Sequence, residues 1–224
     1  WNFRTGNIFA YADPKIVKEK LFSKLSNQIR TSSSVFHGLD FEKDLNSLLP
    51  FERARIAYRS VSNPTNSRTI IASLVPPSVI LTHISPYVFT LPGHETEEAY
   101  LLGTLCSIPF DFYARKFIET AVDIHFMQAF PIPLGIDSIQ GRRLIENVYH
   151  LVPDELAYKT WRNSLLISSD EVQEAQSIEE LITENDALVA ILFGLSEVEL
   201  KYIFDNFQRG WDSEARKQKT LDFY

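Results

Sequence analysis

The stretch RIAYRSVSNPTNSRTIIASLVPPSVILTHI, residues 55–84, decides the fold class of this chain. Its β-branched, aromatic and aliphatic residues stand in short runs, a pattern that favours strands. Between the first two runs lies Asn63-Pro64-Thr65-Asn66, a turn sequence, because proline fixes φ and Asn tolerates unusual backbone angles. The stretch therefore predicts a small mixed β-sheet in the first half of the chain.

Helical patterns surround this region. Asp13-Pro14 begins the first helix, since an N-capping side chain precedes a proline, and the helix extends to about Arg30. Ser196 and Glu199 form the pattern of a capping box at the start of the last one. The others are predicted over residues 41–49, 95–107, 110–120, 138–149, 153–166, 177–183 and 185–193. The fold class that follows is α+β, with helices around the sheet and a helical C-terminal part.

The composition is that of a globular protein. With 45% hydrophobic residues in a chain of 224, a sizeable core can form, and we expect an α+β domain over residues 1–135 and a helical region over residues 136–224. One cysteine, Cys106, excludes an internal disulfide framework and fits a reducing compartment. No apolar run approaches the roughly 18 residues of a membrane span and no signal peptide opens the sequence, so we expect a cytoplasmic protein without membrane contact. Because the sequence begins at Trp1, we interpret it as a piece of a longer protein.

The charges are unevenly distributed. The net charge of −7 argues, as an average, against a nucleic-acid partner, because phosphate binding needs clustered Lys and Arg. From residue 50 to residue 93, however, four arginines accompany a single acid, Glu52. Residues 168–200 contain nine acids and neither Lys nor Arg. The two regions therefore require separate interpretations.

The sequence contains no pattern of catalytic residues. Its eight glycines are scattered, so no phosphate, dinucleotide or S-adenosylmethionine loop is present. Its cysteine and five histidines do not have metal-ligand spacing. Asn63-Pro64-Thr65-Asn66 superficially resembles an adenine pocket but lacks the aromatic residue that would stack on a flipped base. We therefore expect no catalytic residue, metal or cofactor site in this chain.

The arginine-rich hairpin is the candidate binding site. If Arg55 and Arg59 share a strand, the period of two places them on one face, with Arg53 in line. Such a row can contact phosphates or guanine edges, and the asparagines of the turn suit adenine. The alternative is that these side chains only hold loop carbonyls in place. The candidate DNA-contacting residues are Arg53, Arg55, Arg59, Asn63, Asn66, Arg68 and Thr69.

Three blocks of sequence carry a resemblance to a known family. RIAYRSVSNPTNSRTIIASLVPPSVI, residues 55–80, is similar to a segment of the target recognition domain of fused type II (type IIG) restriction–modification enzymes and of related phage-defence adenine-specific DNA methyltransferases. AYLLGTLCSIPFDFYARKFIETAVDIHFMQAFPIP, residues 99–133, resembles the block that follows it in those proteins, and LVAILFGLSEVELKYIFDNF, residues 188–207, resembles their helical tail. One departure is Ser60, where the family usually has Asp, which leaves the role of Arg59 open.

The resemblance implies a DNA sequence-recognition module. Its partners would be double-stranded DNA and a methyltransferase domain of the same parent chain, which would bind S-adenosylmethionine and, with or without an endonuclease, supply catalysis. Within the family the arginine-rich motif either reads bases or frames loops that read them, such as residues 31–38 or 85–94. The alternative is a non-enzymatic interaction domain whose arginine-rich hairpin binds an acidic partner.

The acidic helices suggest a second surface. DNA would repel them, so they should face away from it. They form either a solvated face or a docking face for the methyltransferase domain. Exposure of the aromatic residues Trp161, Phe193, Phe204, Phe207 and Trp211 would support docking.

Overall fold

The computed structural model describes residues 13–34, 36–38, 49–63, 65–167, 176–207 and 213–224. The chain divides into two compact units, Trp1–Glu52 and Arg53–Tyr224. Within the described residues, no helix combines the length and the apolar character needed to cross a membrane.

The first unit contains helix α1, Pro14–Ile29. The helix begins as predicted, because the Asp13 carboxylate accepts a hydrogen bond from the Lys15 N–H at 2.9 Å. A short 3₁₀ turn, Pro50–Glu52, closes the unit, and Glu52 pairs with Lys18 at 2.6 Å. The helix predicted over residues 41–49 lies, except for Leu49, outside the described residues.

The second unit opens with an antiparallel hairpin of β1, Arg55–Tyr58, and β2, Ala72–Val75. Arg55 faces Val75 and Tyr58 faces Ala72 across the pair. On its other side β1 meets residues 86–88, where an isolated antiparallel bridge joins Ala57 and Tyr87. Every residue of β1 is buried. The predicted α+β class is confirmed, and the pairing in the described chain is antiparallel where a mixed sheet was expected.

Helices follow the sheet to the end of the described chain. They are α2 Glu95–Leu105, α3 Ile108–Ala114, α4 Ile124–Ala129, α5 Ile139–Leu151, α6 Lys159–Ser164, α7 Ile178–Leu192, α8 Glu197–Asn206 and α9 Ser213–Phe223, with a 3₁₀ turn, Leu156–Tyr158, before α6. The predicted helices over residues 177–183 and 185–193 are one continuous helix, α7. Both α7 and α8 begin with a capping box, and the one at Ser196 confirms the sequence prediction.

The core of the second unit is a stack of these elements. The hairpin packs on α2, α2 on α5, α5 on α7, and α7 on α9. Ile56, Leu105, Phe110 and Leu144 are among its fully buried side chains. One continuous cluster of buried residues runs from Ala54 to Val189, so helices on both sides of residue 135 share a single core.

Candidate nucleic-acid interface

The connection between β1 and β2, residues 59–71, contains five of the seven candidate residues. We call residues 59–69 the polar loop. Its first arm pairs with the segment that follows α3: the Ser62 N–H donates to the Thr120 carbonyl at 2.9 Å, and the Val122 N–H donates to the Ser60 carbonyl at 2.7 Å. Its base is closed by the Arg59 N–H, which donates to the Ile71 carbonyl at 3.0 Å. The polar loop therefore starts from a paired, ordered base.

The tip of the loop is a side-chain-stabilised turn. The Asn63 Oδ1 accepts from both the N–H and the hydroxyl of Thr65, each at 2.9 Å. The Asn66 N–H donates to the Asn63 carbonyl at 2.8 Å. Asn63 and Thr65 remain exposed. The predicted turn chemistry is thus realised, because asparagine replaces a backbone acceptor with its own side chain.

A buried carboxylate anchors the second arm. Asp111 on α3 is fully buried and accepts from the Thr69 N–H at 3.0 Å and from the Ile70 N–H at 2.6 Å. The Arg68 Nε lies 3.2 Å from the same carboxylate, and the Arg68 Nη2 donates to the Ser107 carbonyl at 3.0 Å. Charge-assisted hydrogen bonds of this kind fix the backbone in one conformation.

An arginine clamps the loop from the end of α3. The Arg115 Nε donates to the Thr69 hydroxyl at 2.9 Å, and its Nη2 donates to the carbonyls of Asn66 at 2.9 Å and Ser67 at 3.2 Å. Sequence reasoning singled out neither Asp111 nor Arg115. The signal for both was present, since two charged residues interrupt the otherwise apolar and aromatic run SIPFDFYAR.

The outer surface of the loop carries the exposed cation Arg59. Hydrogen bonding favours the orientation of the Asn66 amide in which its oxygen accepts from Arg59 Nη2 and from the Asn63 N–H. Among the described residues, no carboxylate forms an ion pair with Arg59 or with the exposed Lys116 that follows Arg115. Ser60 stands where the resembled family has Asp, and its hydroxyl donates to the Ile84 carbonyl at 3.0 Å. Position 60 therefore offers no carboxylate to Arg59, whose hydrogen bond goes to Asn66.

The predicted row of arginines on one exposed strand face is wrong. Arg55 is 5% exposed, donates to the Val79 carbonyl at 2.7 Å and lies over the ring of Tyr87. Burial lowers the pKa of the Arg55 guanidinium, because desolvation disfavours its charged form. Arg59 lies beyond the end of β1 and is exposed. The prediction failed because Val79 and Tyr87 cover the Arg55 side chain, and because β1 ends at Tyr58, before Arg59.

The seven candidate residues divide into two groups. Four belong to the framework: Arg53 pairs with Glu95 at 2.8 Å, and Arg55, Arg68 and Thr69 are held as described above. Arg59 and Asn63 are exposed, and Asn66 is half-buried between them and Arg115. The structure thus brings together Arg59, Asn63 and Asn66 at the surface. Arg115 donates to the Asn66 carbonyl, and the exposed Lys116 follows it in the chain.

Among the described residues of 176–200, two acids of α7 pair with arginines of other helices. Glu184 pairs with Arg143 of α5 at 2.7 Å, and Asp186 pairs with Arg216 of α9 at 2.6 Å. These pairs tie α7 to its neighbouring helices.

The condition set for a docking face, exposure of five aromatic residues, is not met. Trp161, Phe204 and Phe207 are buried, Phe193 is half-buried, and Trp211 lies outside the described residues. The four described aromatic residues belong to the clusters of buried side chains or pack against them.

The described part of the chain contains no group of three or more His, Cys, Asp or Glu side chains that could hold a metal ion. Its charged side chains form ion pairs and hydrogen-bonded anchors. The arrangement is therefore suited to presenting a fixed polar surface. In comparisons with known proteins, no family model, no curated protein and no solved structure matches this chain.

Proposed function

We propose that this chain is a DNA sequence-recognition module, which positions target DNA for a separate methyltransferase domain of the same parent chain. One observation carries the proposal. Arg59, Asn63 and Asn66 stand at the surface of a loop whose backbone is fixed from below by the buried Asp111 and by Arg115.

The chemistry of the exposed side chains suits the edges of base pairs. A guanidinium can donate two hydrogen bonds to guanine, and a side-chain amide can donate to and accept from adenine. Neutral hydroxyls such as that of the exposed Ser67 suit phosphate oxygens. A mixed set of side chains of this kind can both position the DNA and select its bases.

The rigidity of the loop is the second support. A binding loop that is ordered before it meets its ligand loses less conformational entropy on binding. The polar loop has a paired base, a side-chain-stabilised tip and two charged anchors. In this proposal Arg53, Arg55, Arg68 and Thr69 support the loop, while Arg59, Asn63 and Asn66 contact DNA.

Catalysis in this proposal lies outside the chain. The methyltransferase domain would bind S-adenosylmethionine and receive an adenine that leaves the base stack. The recognition module would contribute orientation and sequence choice in the cytoplasm. The acidic helices, whose charges would repel phosphates, would face away from the DNA.

Substitution of the exposed residues tests the proposal. Each of Arg59→Ala and Asn63→Ala should weaken binding to the preferred duplex by about tenfold, because one base contact contributes on the order of 1–3 kcal/mol. Fluorescence anisotropy with a labelled duplex gives the Kd of each variant.

The matched control is Arg142→Ala, which removes an exposed arginine of α5 that pairs with no described carboxylate. It should leave the Kd within about twofold, because distant surface charges are screened at physiological salt. Equal weakening by Arg142→Ala and Arg59→Ala would mean general charge attraction and would contradict the assignment of the polar loop.

A further inference from the structure

We infer that the helical tail, α7 to α9, sets the conformation of the polar loop by holding α3 at both ends, with Arg115 and Phe207 as positioning residues. One consequence of this inference, that residues far from DNA influence base choice, rests on the proposed function. The coupling between the tail and the loop is a property of the free protein and does not depend on that function.

The first connection lies at the C-terminal end of α3. The same Arg115 guanidinium that donates to Thr69, Asn66 and Ser67 lies over the ring of Phe207, 4.5 Å from its centroid. A guanidinium that lies over the face of a ring is attracted to it, which restricts the positions from which its N–H groups can donate. The ring of Phe207 thereby helps to select which loop oxygens Arg115 can reach.

Phe207 is itself fixed by the tail. It caps the C-terminus of α8 and is 4% exposed. It belongs to a cluster of buried residues formed with Ile108, Ala190, Leu200, Ile203 and Phe204, which come from α3, α7 and α8. The ring position therefore depends on how α8 packs against α7 and α3.

The second connection lies at the N-terminal end of α3. Asp186 of α7 is fully buried and accepts from the Ile108 N–H at 2.8 Å. The same carboxylate accepts from the Arg216 Nε of α9 at 2.7 Å. A carboxylate at the start of a helix satisfies an N–H that has no partner inside the helix.

Between these two connections α3 carries Asp111, the anchor of Thr69 and Ile70. The two charged anchors of the second arm of the loop, Asp111 and Arg115, thus originate from α3 and the residue after it. A displacement of α3 relative to the sheet would move the loop, and the tail resists that displacement. The tail is accordingly a support for the recognition loop.

The experiment compares two substitutions in α8 and the residue that follows it. Phe207→Leu keeps an apolar side chain but removes the ring beneath Arg115, whereas Phe204→Leu makes the same change at an equally buried position. The Arg115 guanidinium lies over the ring of Phe207, whereas Phe204 is a member of the same buried cluster and reports on its packing. The pair therefore separates loss of the contact with Arg115 from general loss of packing.

Amide hydrogen exchange of the full chain without DNA is the first readout. In Phe207→Leu, exchange at Thr69 and Ile70 should rise about fivefold relative to the amide of Leu105 in α2, as expected for loss of about 1 kcal/mol from a cation–π contact. In Phe204→Leu this ratio should stay as in the unchanged protein. Equal ratios in the two variants would overturn the inference whether or not the chain binds DNA.

Selection from a randomised duplex pool is the second readout. Phe207→Leu should relax base preference at one or more positions, and Phe204→Leu should retain the original preference. If Phe207→Leu shifts hydrogen exchange while the unchanged protein enriches no sequence, the proposed function fails and the structural coupling stands. If Phe207→Leu retains the full preference despite faster exchange, the inferred effect of the tail on base choice is wrong.

Discussion

The buried carboxylate of Asp111 accepts hydrogen bonds from two backbone N–H groups that a neighbouring strand would otherwise pair. Thr69 and Ile70 lie just before β2, where their N–H groups have no strand partner, and Asp111 accepts from both. Buried N–H groups without an acceptor are costly, and a buried carboxylate without donors is more so. The N–H groups of Thr69 and Ile70 thus gain an acceptor, and the Asp111 carboxylate gains donors.

Asp111→Asn should therefore be strongly destabilising. The amide keeps the size of the carboxylate but brings an NH₂ group against N–H donors and removes the ion pair with Arg68. Breaking a buried pair of this type costs about 3 kcal/mol. Urea unfolding monitored by circular dichroism measures the loss.

Asp154→Asn is the control for this change. The Asp154 side chain is exposed and lies 3.7 Å from Arg162. Exposed ion pairs contribute about 0–1 kcal/mol, so its free energy of unfolding should change little. Similar losses in the two variants would show that Asp111 is not the anchor described.

Residue roles were the least predictable part of the site. The turn chemistry of Asn63 was correctly predicted, because an asparagine side chain acts on its own neighbours. Arg55 and Arg59 were placed on one face, and the structure separates them. The period of two holds only within a strand, and β1 ends at Tyr58. The sequence around an arginine does not show how many neighbours its strand will have.

At the scale of elements, sequence patterns were reliable where the structure depends on interactions between nearby residues. The Asp13 cap and the capping box at Ser196 each depend on residues a few positions apart, and each is observed. The hairpin is also observed, with its strands joined by the predicted polar turn. The strand-like run at residues 79–81 does not form a strand. The hairpin instead takes its third neighbour from residues 86–88. Pairing between distant segments depends on packing that a local pattern does not contain.

The ends of helices show the same distinction between local patterns and tertiary contacts. The helix predicted over residues 110–120 ends at Ala114, and Arg115 turns to the polar loop. Propensity alone would continue the helix, but the hydrogen bonds of Arg115 and the pairing of residues 120–122 with the loop arm compete with it. The element most relevant to the candidate site was thus shaped by tertiary contacts.

At the scale of the whole molecule, ion pairs within the fold neutralise part of the acidic charge that the sequence concentrates in residues 168–200. Residues 168–200 contain nine acids. In the described part of this range, Glu179, Glu184 and Asp186 pair with bases of α5 and α9. Arg59 and Lys116, in contrast, have no carboxylate partner among the described residues. The overall charge of −7 therefore does not describe the surface at the polar loop.

A buried acid should make the stability of the molecule depend on pH. Glu98 of α2 is 1% exposed and accepts from the Trp161 Nε1 at 2.7 Å and from the Thr90 hydroxyl. Burial raises the pKa of the Glu98 carboxyl above its usual value of 4.5. A raised pKa in the folded state means that stability is fully present below the usual value and is lost as pH rises through the folded value.

Glu98→Gln should consequently gain stability over the unchanged protein as pH rises from about 4 to 7, because the amide carries no charge to desolvate. Urea unfolding at the two pH values measures the difference in the free energy of unfolding. The exposed Glu119→Gln serves as the control and should show no such trend. An advantage of Glu98→Gln that shrinks toward pH 7 would contradict the raised pKa.

Binding of the unmodified chain to a randomised duplex pool at two salt concentrations tests the central claim most directly. A recognition module should enrich a defined sequence, and its binding should weaken steeply with salt, since affinity includes phosphate contacts that release counterions. Retention without an enriched sequence, or binding that salt leaves unchanged, would contradict the proposal that this chain reads DNA.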